Sequence, residues 1–152
     1  MKKSILPPTY VYLAIAIMLG LHFLLPGPTW LYRPWTYLGL IPVLLGIWLN
    51  MNADSAFKRA STTVKPFQKS SALVTSGAFR ISRHPMYLGF VLLLFGLWVF
   101  LGTATPLLPV LVLPLLLQRI FVPFEEKMML DTFGEEYRTY MGRVRQWLGR
   151  FK

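Results

Sequence analysis

Four apolar stretches dominate the chain, and polar or proline-rich segments separate them. They cover residues 10–25, 35–51, 86–101 and 107–122, and each is 16 or 17 residues long. At ~1.5 Å of rise per residue, each would form a helix about 25 Å long, close to the roughly 30 Å hydrocarbon core of a bilayer. Lipid-exposed backbone is satisfied only in helices and closed barrels. The pattern therefore predicts an all-α integral membrane protein with about four transmembrane helices.

The segments between these stretches predict how the helices are connected. Residues 102–106 form so short a link that the third and fourth spans must make a tight antiparallel hairpin. Residues 52–85 form a long polar loop, and residues 123–152 form a polar tail. Apolar residues recur at helical spacing in this tail, which predicts an amphipathic helix along the membrane interface, broken at Gly134. The whole chain, 1–152, is expected to form one membrane domain.

Two pairs of glycines mark helix faces. Gly39 and Gly46 lie on the second span, and Gly89 and Gly96 lie on the third, with the same spacing in each pair. A spacing of about two turns puts each pair on one face, where small residues let helices approach closely. Ordinary helix packing explains such a face without any functional role.

Composition supports a membrane location and excludes several kinds of site. The chain is 55% hydrophobic and 14% charged, whereas soluble domains carry about 25% charged residues. Cysteine is absent, which excludes disulfides, thiol catalysis and thiolate metal sites. Two histidines are too few for a histidine-rich metal site, so no metal is expected. The amino-terminal Lys2 and Lys3 precede an apolar run that is long for a signal peptide and lacks a cleavage motif, which indicates a retained span.

The basic residues predict an orientation. The net charge is +10, and fourteen of the 16 lysines and arginines fall in residues 1–9, 52–85 and 123–152, whereas loop 26–34 holds only Arg33. The positive-inside rule then places both termini, the long loop and the tail in the cytoplasm. Cations beside anionic lipid explain the charge better than nucleic acid does, because no nucleic-acid-binding module is recognisable.

A basic corner precedes the third span. Pro85 suits the first turn of a helix, which leaves His84 at the cap and Arg83 just before it. Free N–H groups and cations together predict an anion site at the cytoplasmic surface, where Tyr87 could place its ring against a cation. Alternatively, Arg83 anchors to lipid phosphate, His84 is only a cap and Tyr87 belongs to an aromatic belt.

Two carboxylates and one arginine near the end of the fourth span are further candidate functional residues. Glu125 and Glu126 end the fourth span and would suit the ribose or ammonium groups of a nucleoside-type cofactor, although acids are also ordinary at a helix start. Arg119 is the only charge inside a predicted span. Because intramembrane charges are costly, Arg119 either holds an anionic group of a lipid-like substrate or extends to the cytoplasmic surface. His22, alone on an apolar run, is expected to be structural.

The two polar segments together resemble a known family. The sequence LVTSGAFRISRHPMYLG at residues 73–89, followed about 35 residues later by EEKMMLDTFGEEYRTY, resembles the isoprenylcysteine carboxyl methyltransferase and phospholipid methyltransferase family of integral membrane enzymes. The resemblance covers residues 57–147. The two-part pattern with its spacing is fairly specific, whereas either half alone is weak.

The resemblance implies S-adenosyl-L-methionine as the methyl donor and a lipophilic small molecule or lipidated compound as the acceptor. It implies that Arg119 contacts the acceptor. It also implies a donor pocket built from the loop before the third span, the basic corner and the carboxylate pair, namely Ser71, Ala72, Leu73, Val74, Phe79, Arg83, His84, Pro85, Met86, Tyr87, Glu125 and Glu126.

The chain departs from the family pattern in places, and other functions stay open. It has four spans where several relatives have more, and Pro123 and Phe124 occupy positions that belong to a longer acidic run in eukaryotic members. Residues 62–67 (TTVKPF) are typical of short prokaryotic members, which favours a prokaryotic inner membrane. The acceptor, whether carboxylate, amine or thiol, does not follow from the sequence. A nicotinamide-dependent membrane reductase of the sterol reductase type and a non-catalytic membrane scaffold are the alternatives.

Overall fold

The computed structural model describes residues 6–62 and 70–149. Lys2, Lys3 and all but the first residue of the TTVKPF segment lie outside the described residues. The described residues contain five α-helices: α1 (Pro7–Leu24), α2 (Leu40–Arg59), α3 (Pro85–Leu101), α4 (Leu107–Ile120) and α5 (Val122–Met141). Two short 3-10 helices, Trp35–Gly39 and Gly77–Arg80, precede α2 and α3. No strand occurs within 6–62 and 70–149, where Thr29 and Thr103 form an isolated bridge.

The apolar helices fit a membrane. Within the described residues, three helical stretches are long and apolar enough to cross a bilayer: α1, the first 3-10 helix continued into α2 over Trp35–Arg59, and α4 continued into α5. The fourth apolar helix, α3, is shorter. Large apolar side chains such as Leu13 on α1 and Leu44 on α2 are more than half exposed, as expected of surfaces that face lipid. The prediction of an all-α membrane fold with about four apolar helices is confirmed.

The glycine faces lie against each other and set the main helix contact. Gly46 on α2 faces the backbone of Gly89 on α3, and Gly39 faces Gly96 in the same way. A Cβ atom at any of these positions would collide with the opposite backbone or side chains. The close helix approach expected at each glycine face is therefore seen, and the structure shows that it packs α2 along α3. α3 also contacts α4 and α1.

The ends of the helices away from the basic corner are held by polar contacts. His22 Nδ1 lies 2.8 Å from Thr103 Oγ1, and the indole rings of Trp30 and Trp98 stack with centroids 4.4 Å apart. The backbone at Gly102 adopts φ of 71°, a conformation that glycine tolerates, and ends α3 ahead of the short link to α4. These contacts are consistent with the structural role expected for His22.

The structure differs from the predicted boundaries at the end of α2. α2 continues to Arg59, past the predicted end at residue 51. Ala53 and Ala56 on this extension are buried in a second apolar cluster with Tyr137 and Tyr140 of α5. Tertiary packing therefore extends α2 beyond the apolar run. The predicted break in the tail is confirmed, because Gly134 has φ of 51° and kinks α5.

Candidate functional site

A mainly apolar cavity of about 320 Å³ lies where the basic corner meets the first and last turns of α5. Volumes of this order are typical of small-molecule sites. Five parts of the chain build its wall: the start of α1, the end of α2, the segment 70–79, the start of α3 and α5. Its lining residues are Leu6, Pro7, Pro8, Phe57, Ser70, Leu73, Val74, Phe79, Arg83, His84, Pro85, Met86, Tyr87, Phe90, Glu125, Met128, Met129, Tyr137 and Tyr140.

The basic corner has the geometry expected at a helix start. Pro85 is the first residue of α3, and His84 is the preceding cap residue. The backbone N–H of His84 donates to Ser82 Oγ at 3.0 Å. Ser82 Oγ in turn donates to the carbonyl of Gln146 at 3.0 Å, which fixes the corner against the tail. His84 and Tyr87 stack with ring centroids 5.5 Å apart, so both rings point toward α5.

Two cations and two carboxylates form a compact cluster at this corner. Arg83 Nη2 lies 2.8 Å from Glu126 Oε1. His84 Nε2 lies 3.2 Å from the same oxygen, and His84 Nδ1 lies 3.4 Å from Glu125 Oε2. The Tyr87 hydroxyl donates to Glu125 Oε1. The predicted meeting of the arginine–histidine–proline corner and the glutamate pair is therefore seen in the structure.

The protonation of His84 follows from these contacts. Burial alone would favour the neutral ring, but hydrogen bonds and charge from Glu125 and Glu126 outweigh it and raise the pKa of His84 above 6.5. Both ring nitrogens face carboxylate oxygens, and both nitrogens donate only in the protonated ring. His84 is therefore a cation that compensates the paired carboxylates.

The carboxyl-terminal segment holds the corner and the preceding 3-10 helix in place. The Tyr140 hydroxyl donates to the Phe79 carbonyl at 2.7 Å. The Arg83 N–H donates to the Arg145 carbonyl at 3.1 Å, and the Arg83 guanidinium reaches the carbonyls of Met141 and Val144 at 3.4 Å. These bonds make the tail part of the framework of the cavity.

An asparagine fixes the 3-10 helix from the opposite side. Asn52 Oδ1 accepts the Ala78 N–H at 2.8 Å. Asn52 belongs to the extension of α2. Its role depends on a backbone N–H that is distant in sequence, which no local pattern reveals.

Comparison with known proteins identifies the family. The family model described as phospholipid methyltransferase matches residues 35–136, which is more than half of the chain and includes the first polar segment and most of the second. The chain belongs to the phospholipid methyltransferase family. The resemblance seen in the two sequence segments is thus confirmed.

Two plant proteins are similar in sequence to this chain over most of its length. A protein from Oryza sativa subsp. indica named probable protein-S-isoprenylcysteine O-methyltransferase is 33% identical over 118 residues, covering 74% of this chain and 60% of the rice protein. Protein-S-isoprenylcysteine O-methyltransferase B from Arabidopsis thaliana is 31% identical over 111 residues, covering 70% of this chain and 55% of its own length. The chain thus spans somewhat over half the length of these relatives.

A solved structure shares the fold. It is that of a eukaryotic intramembrane Ras methyltransferase, isoprenylcysteine carboxyl methyltransferase. The TM-score is 0.73 at 24% identity, and the match covers 97% of this chain and 53% of the other. This phospholipid methyltransferase family member therefore has the helical membrane fold of that protein over nearly its whole length.

The structure brings together most of the residues that the sequence nominated in this family member. The cavity is lined by Leu73, Val74, Phe79, Arg83, His84, Pro85, Met86, Tyr87 and Glu125. Glu126 lies behind them and contacts Arg83 and His84. Ser71 and Ala72 adjoin the wall in sequence without lining the cavity. Arg119 is exposed near the end of α4 and is not among the lining residues, so its contact with an acceptor stays a prediction.

Two tyrosines of α5 are the main site residues that the sequence did not nominate. Tyr137 and Tyr140 line the cavity and are 3% and 7% exposed. The Tyr140 hydroxyl donates its hydrogen bond to the Phe79 carbonyl, whereas the Tyr137 hydroxyl has no hydrogen-bond partner in the described part of the chain. Their helical spacing indicated an amphipathic face, and only the kink and docking of α5 turn that face toward the cavity.

Proposed function

We propose that this protein transfers a methyl group from S-adenosyl-L-methionine to a lipid-like or apolar acceptor at the cytoplasmic face of a prokaryotic inner membrane. One observation carries the proposal. In a chain of the phospholipid methyltransferase family, the paired motifs enclose an apolar cavity with a compact charged cluster at its edge. The acceptor group would be a carboxylate, an amine or a thiol.

The lining residues fit a cationic, nucleoside-containing donor. S-Adenosyl-L-methionine supplies a methyl group on a positively charged sulfur. Aromatic faces attract such a cation, and Tyr87 and Tyr137 present aromatic rings to the cavity. Each oxygen of Glu125 already accepts one contact, but a carboxylate has about four acceptor positions. Glu125 therefore keeps capacity for a hydroxyl or ammonium group of the ligand.

Other nominated residues would complete the donor site. The backbone of Leu73 and Val74 and the ring of Phe79 would form one wall, and Pro85 and Met86 the opposite one. Arg83, His84 and Glu126 would set the position of Glu125 and Tyr87 through their mutual contacts. Ser71 and Ala72 would contribute indirectly, because the loop that they form positions Leu73.

The protein would contribute to the reaction by positioning the donor and the acceptor and by excluding water from the site. Holding two reactants in a productive geometry can be worth about 7–11 kcal/mol of the barrier. A protonated His84, held between two carboxylates, has no free nitrogen to accept a proton. A carboxylate acceptor would need no base, which makes it the acceptor that this cluster suits best.

The cavity wall suggests how an apolar acceptor would enter. The start of α1 contributes Leu6 and Pro7, the end of α2 contributes Phe57, and Phe90 of α3 lies between them. Both α1 and α2 contact α3, and an apolar acceptor would reach the cavity from the bilayer between α1 and α2. The polar donor would enter from the cytoplasmic side, and Arg119 would contact an anionic part of the acceptor.

Ligand binding by the full chain in detergent tests the donor site. Isothermal titration calorimetry should detect binding of S-adenosylhomocysteine, and Glu125→Gln and His84→Ala should each weaken it by about ten-fold or more, since charged hydrogen-bond groups are lost. Glu135→Gln removes a carboxylate that is 81% exposed and paired with Arg138, and it should leave the affinity unchanged. Retention of NADPH instead would favour a reductase, and absence of any nucleoside ligand would favour a scaffold.

Product analysis tests the transfer itself. The protein in nanodiscs would be incubated with methyl-labelled S-adenosyl-L-methionine and a bacterial lipid extract, and the extract would be examined by mass spectrometry. A labelled lipophilic product that disappears with His84→Ala is expected. Donor binding without any labelled lipophilic product would contradict the proposed acceptor class.

A further inference from the structure

A second, polar groove lies on the other side of the wall that encloses the apolar cavity. Its volume is about 390 Å³, and its polar lining consists of Thr75, Arg80, Glu136, Thr139 and Arg143. We infer that this groove, here called the arginine groove, binds a phosphate-type oxyanion. It is separate from the proposed donor site, and the inference stands whether or not the protein transfers methyl groups.

The two arginines in the groove are not used by the fold. Arg80 and Arg143 are exposed, and neither side chain forms a hydrogen bond or ion pair within the described residues. By contrast, Arg138 on α5 is paired with Glu135 at 2.6 Å, and Arg83 contacts Glu126. The guanidinium group is suited to phosphate because it offers several donors in a planar array.

The backbone positions of these arginines are fixed relative to each other. Arg80 ends the 3-10 helix, and the Tyr140 hydroxyl donates to the carbonyl of its neighbour Phe79 at 2.7 Å. Arg143 lies just beyond α5, and its N–H donates to the Tyr140 carbonyl at 3.0 Å. One buried tyrosine therefore connects both arginine-bearing segments. A rigid frame lowers the entropy lost when two cations converge on one ligand.

The remaining polar residues complete an oxyanion site and limit its strength. The hydroxyls of Thr75 and Thr139 can donate to phosphate oxygens. Glu136 is the acid in this lining, so two cations face one carboxylate. The groove therefore carries a net positive charge, and removal of Glu136 should increase its affinity for an anion.

Calorimetry with inorganic phosphate on the full chain in detergent tests the inference. Arg80→Gln and Arg143→Gln should each weaken binding by about ten-fold, since a charge-assisted hydrogen bond is lost. Arg138→Gln is the matched control, because it removes the same charge from an exposed, paired arginine outside the groove. It should change the affinity by less than about two-fold. Glu136→Gln should strengthen phosphate binding.

Two further arms separate the sources of the oxyanion and the two sites. Inorganic phosphate is compared with short-chain phosphatidylglycerol, the lipid being kept below its critical micelle concentration. The comparison shows whether a free anion or a lipid headgroup binds more tightly, and tighter binding of either one supports the inference. Glu125→Gln should leave phosphate binding intact, although it weakens S-adenosylhomocysteine binding. Equal losses in Arg80→Gln, Arg143→Gln and Arg138→Gln would mean that only net charge matters, and would overturn the inference. Absence of phosphate and headgroup binding would also overturn it.

Discussion

At the scale of single residues, His84 connects the two polar motifs. One ring nitrogen faces Glu126 at 3.2 Å and the other faces Glu125 at 3.4 Å, while the ring stacks on Tyr87. A buried cation between two carboxylates is stable only when the charges compensate and the donors are satisfied. His84 therefore has an electrostatic role that can be separated from any contact with a ligand.

The pH dependence of stability tests that role. The pKa of His84 is raised above 6.5, so its stabilising contribution is full below pH 6.5 and is lost as pH rises through the raised value. In detergent, the unfolding temperature of the wild type should exceed that of His84→Gln at low pH, and this difference should narrow as the pH increases. The control His22→Gln should leave this pH dependence unchanged. A difference that grows with pH would contradict the assignment.

Tyr137 provides a second prediction at this scale. Its hydroxyl has no partner in the described part of the chain and its side chain lines the cavity, so it is free to bond a ligand. Tyr137→Phe should lower the affinity for S-adenosylhomocysteine by about three- to ten-fold, the loss of one neutral hydrogen bond, with little change in thermal stability. Tyr140→Phe removes a framework bond instead and should lower thermal stability. Identical behaviour of the two variants in both measurements would contradict this division.

At the scale of helices, the contact of α2 with α3 determines the position of the corner. Gly39 and Gly46 lie against Gly96 and Gly89, so the two backbones approach closely along the bilayer. Because Asn52 on the extension of α2 also holds the 3-10 helix, a change in this helix contact is transmitted to the segment that lines the cavity.

Substitution of these glycines measures the helix contact. At Gly46 a Cβ atom would lie 3.0 Å from the Leu93 nitrogen and closer still to the Gly89 carbonyl. Gly46→Ala should therefore destabilise the fold by about 1–3 kcal/mol, the usual effect of overpacking. Gly20→Ala is the control, because a Cβ at Gly20 has no neighbour within 4 Å and alanine favours helix. Chemical unfolding in mild detergent should separate the two, and equal midpoints would count against the close contact.

The segment after α5 is anchored by a small polar network. Trp147 Nε1 donates to Gln118 Oε1 at 2.8 Å, and Gln118 Nε2 lies 3.3 Å from Gln146 Oε1. Gln118 belongs to α4, so these bonds tie the end of the tail to a membrane helix. This explains why the tail holds the corner firmly although α5 is kinked at Gly134.

Hydrogen exchange measures this anchor. Trp147→Phe removes the bond to Gln118 and should speed amide exchange in residues 142–149 by several-fold, because local opening becomes less costly. Leu148→Ala alters a side chain that is 62% exposed and should leave the exchange pattern unchanged. Exchange that is the same in all three proteins would show that other contacts hold the tail.

At the scale of the whole molecule, the sequence predicted the spans and the motifs better than it predicted the tertiary contacts between them. The apolar runs, the glycine faces and the kink at Gly134 follow from local patterns, whereas the meeting of the corner with the glutamates was implied by the family resemblance. The extension of α2, the bond from Asn52 and the cavity-facing Tyr137 depend on how distant segments pack. Arg119, nominated because it is a charge within an apolar run, lies exposed on α4, and its role is still a prediction.

The proposed orientation can be tested because the chain contains no cysteine. Ser76→Cys and Thr29→Cys each place one thiol at an exposed position on opposite sides of the predicted membrane. A membrane-impermeant maleimide should label Thr29→Cys in intact spheroplasts and should label Ser76→Cys only after permeabilisation. The reverse pattern would place the cavity on the outer side.

The wall of the cavity draws on residues as far apart in sequence as Leu6 and Tyr140. During biosynthesis the apolar helices leave the ribosome and enter the bilayer well before the residues of α5 that face the cavity. A nascent chain arrested ahead of Tyr137 would thus be inserted yet unable to retain a ligand. Acquisition of binding should coincide with release of the final turns of α5 from the ribosome.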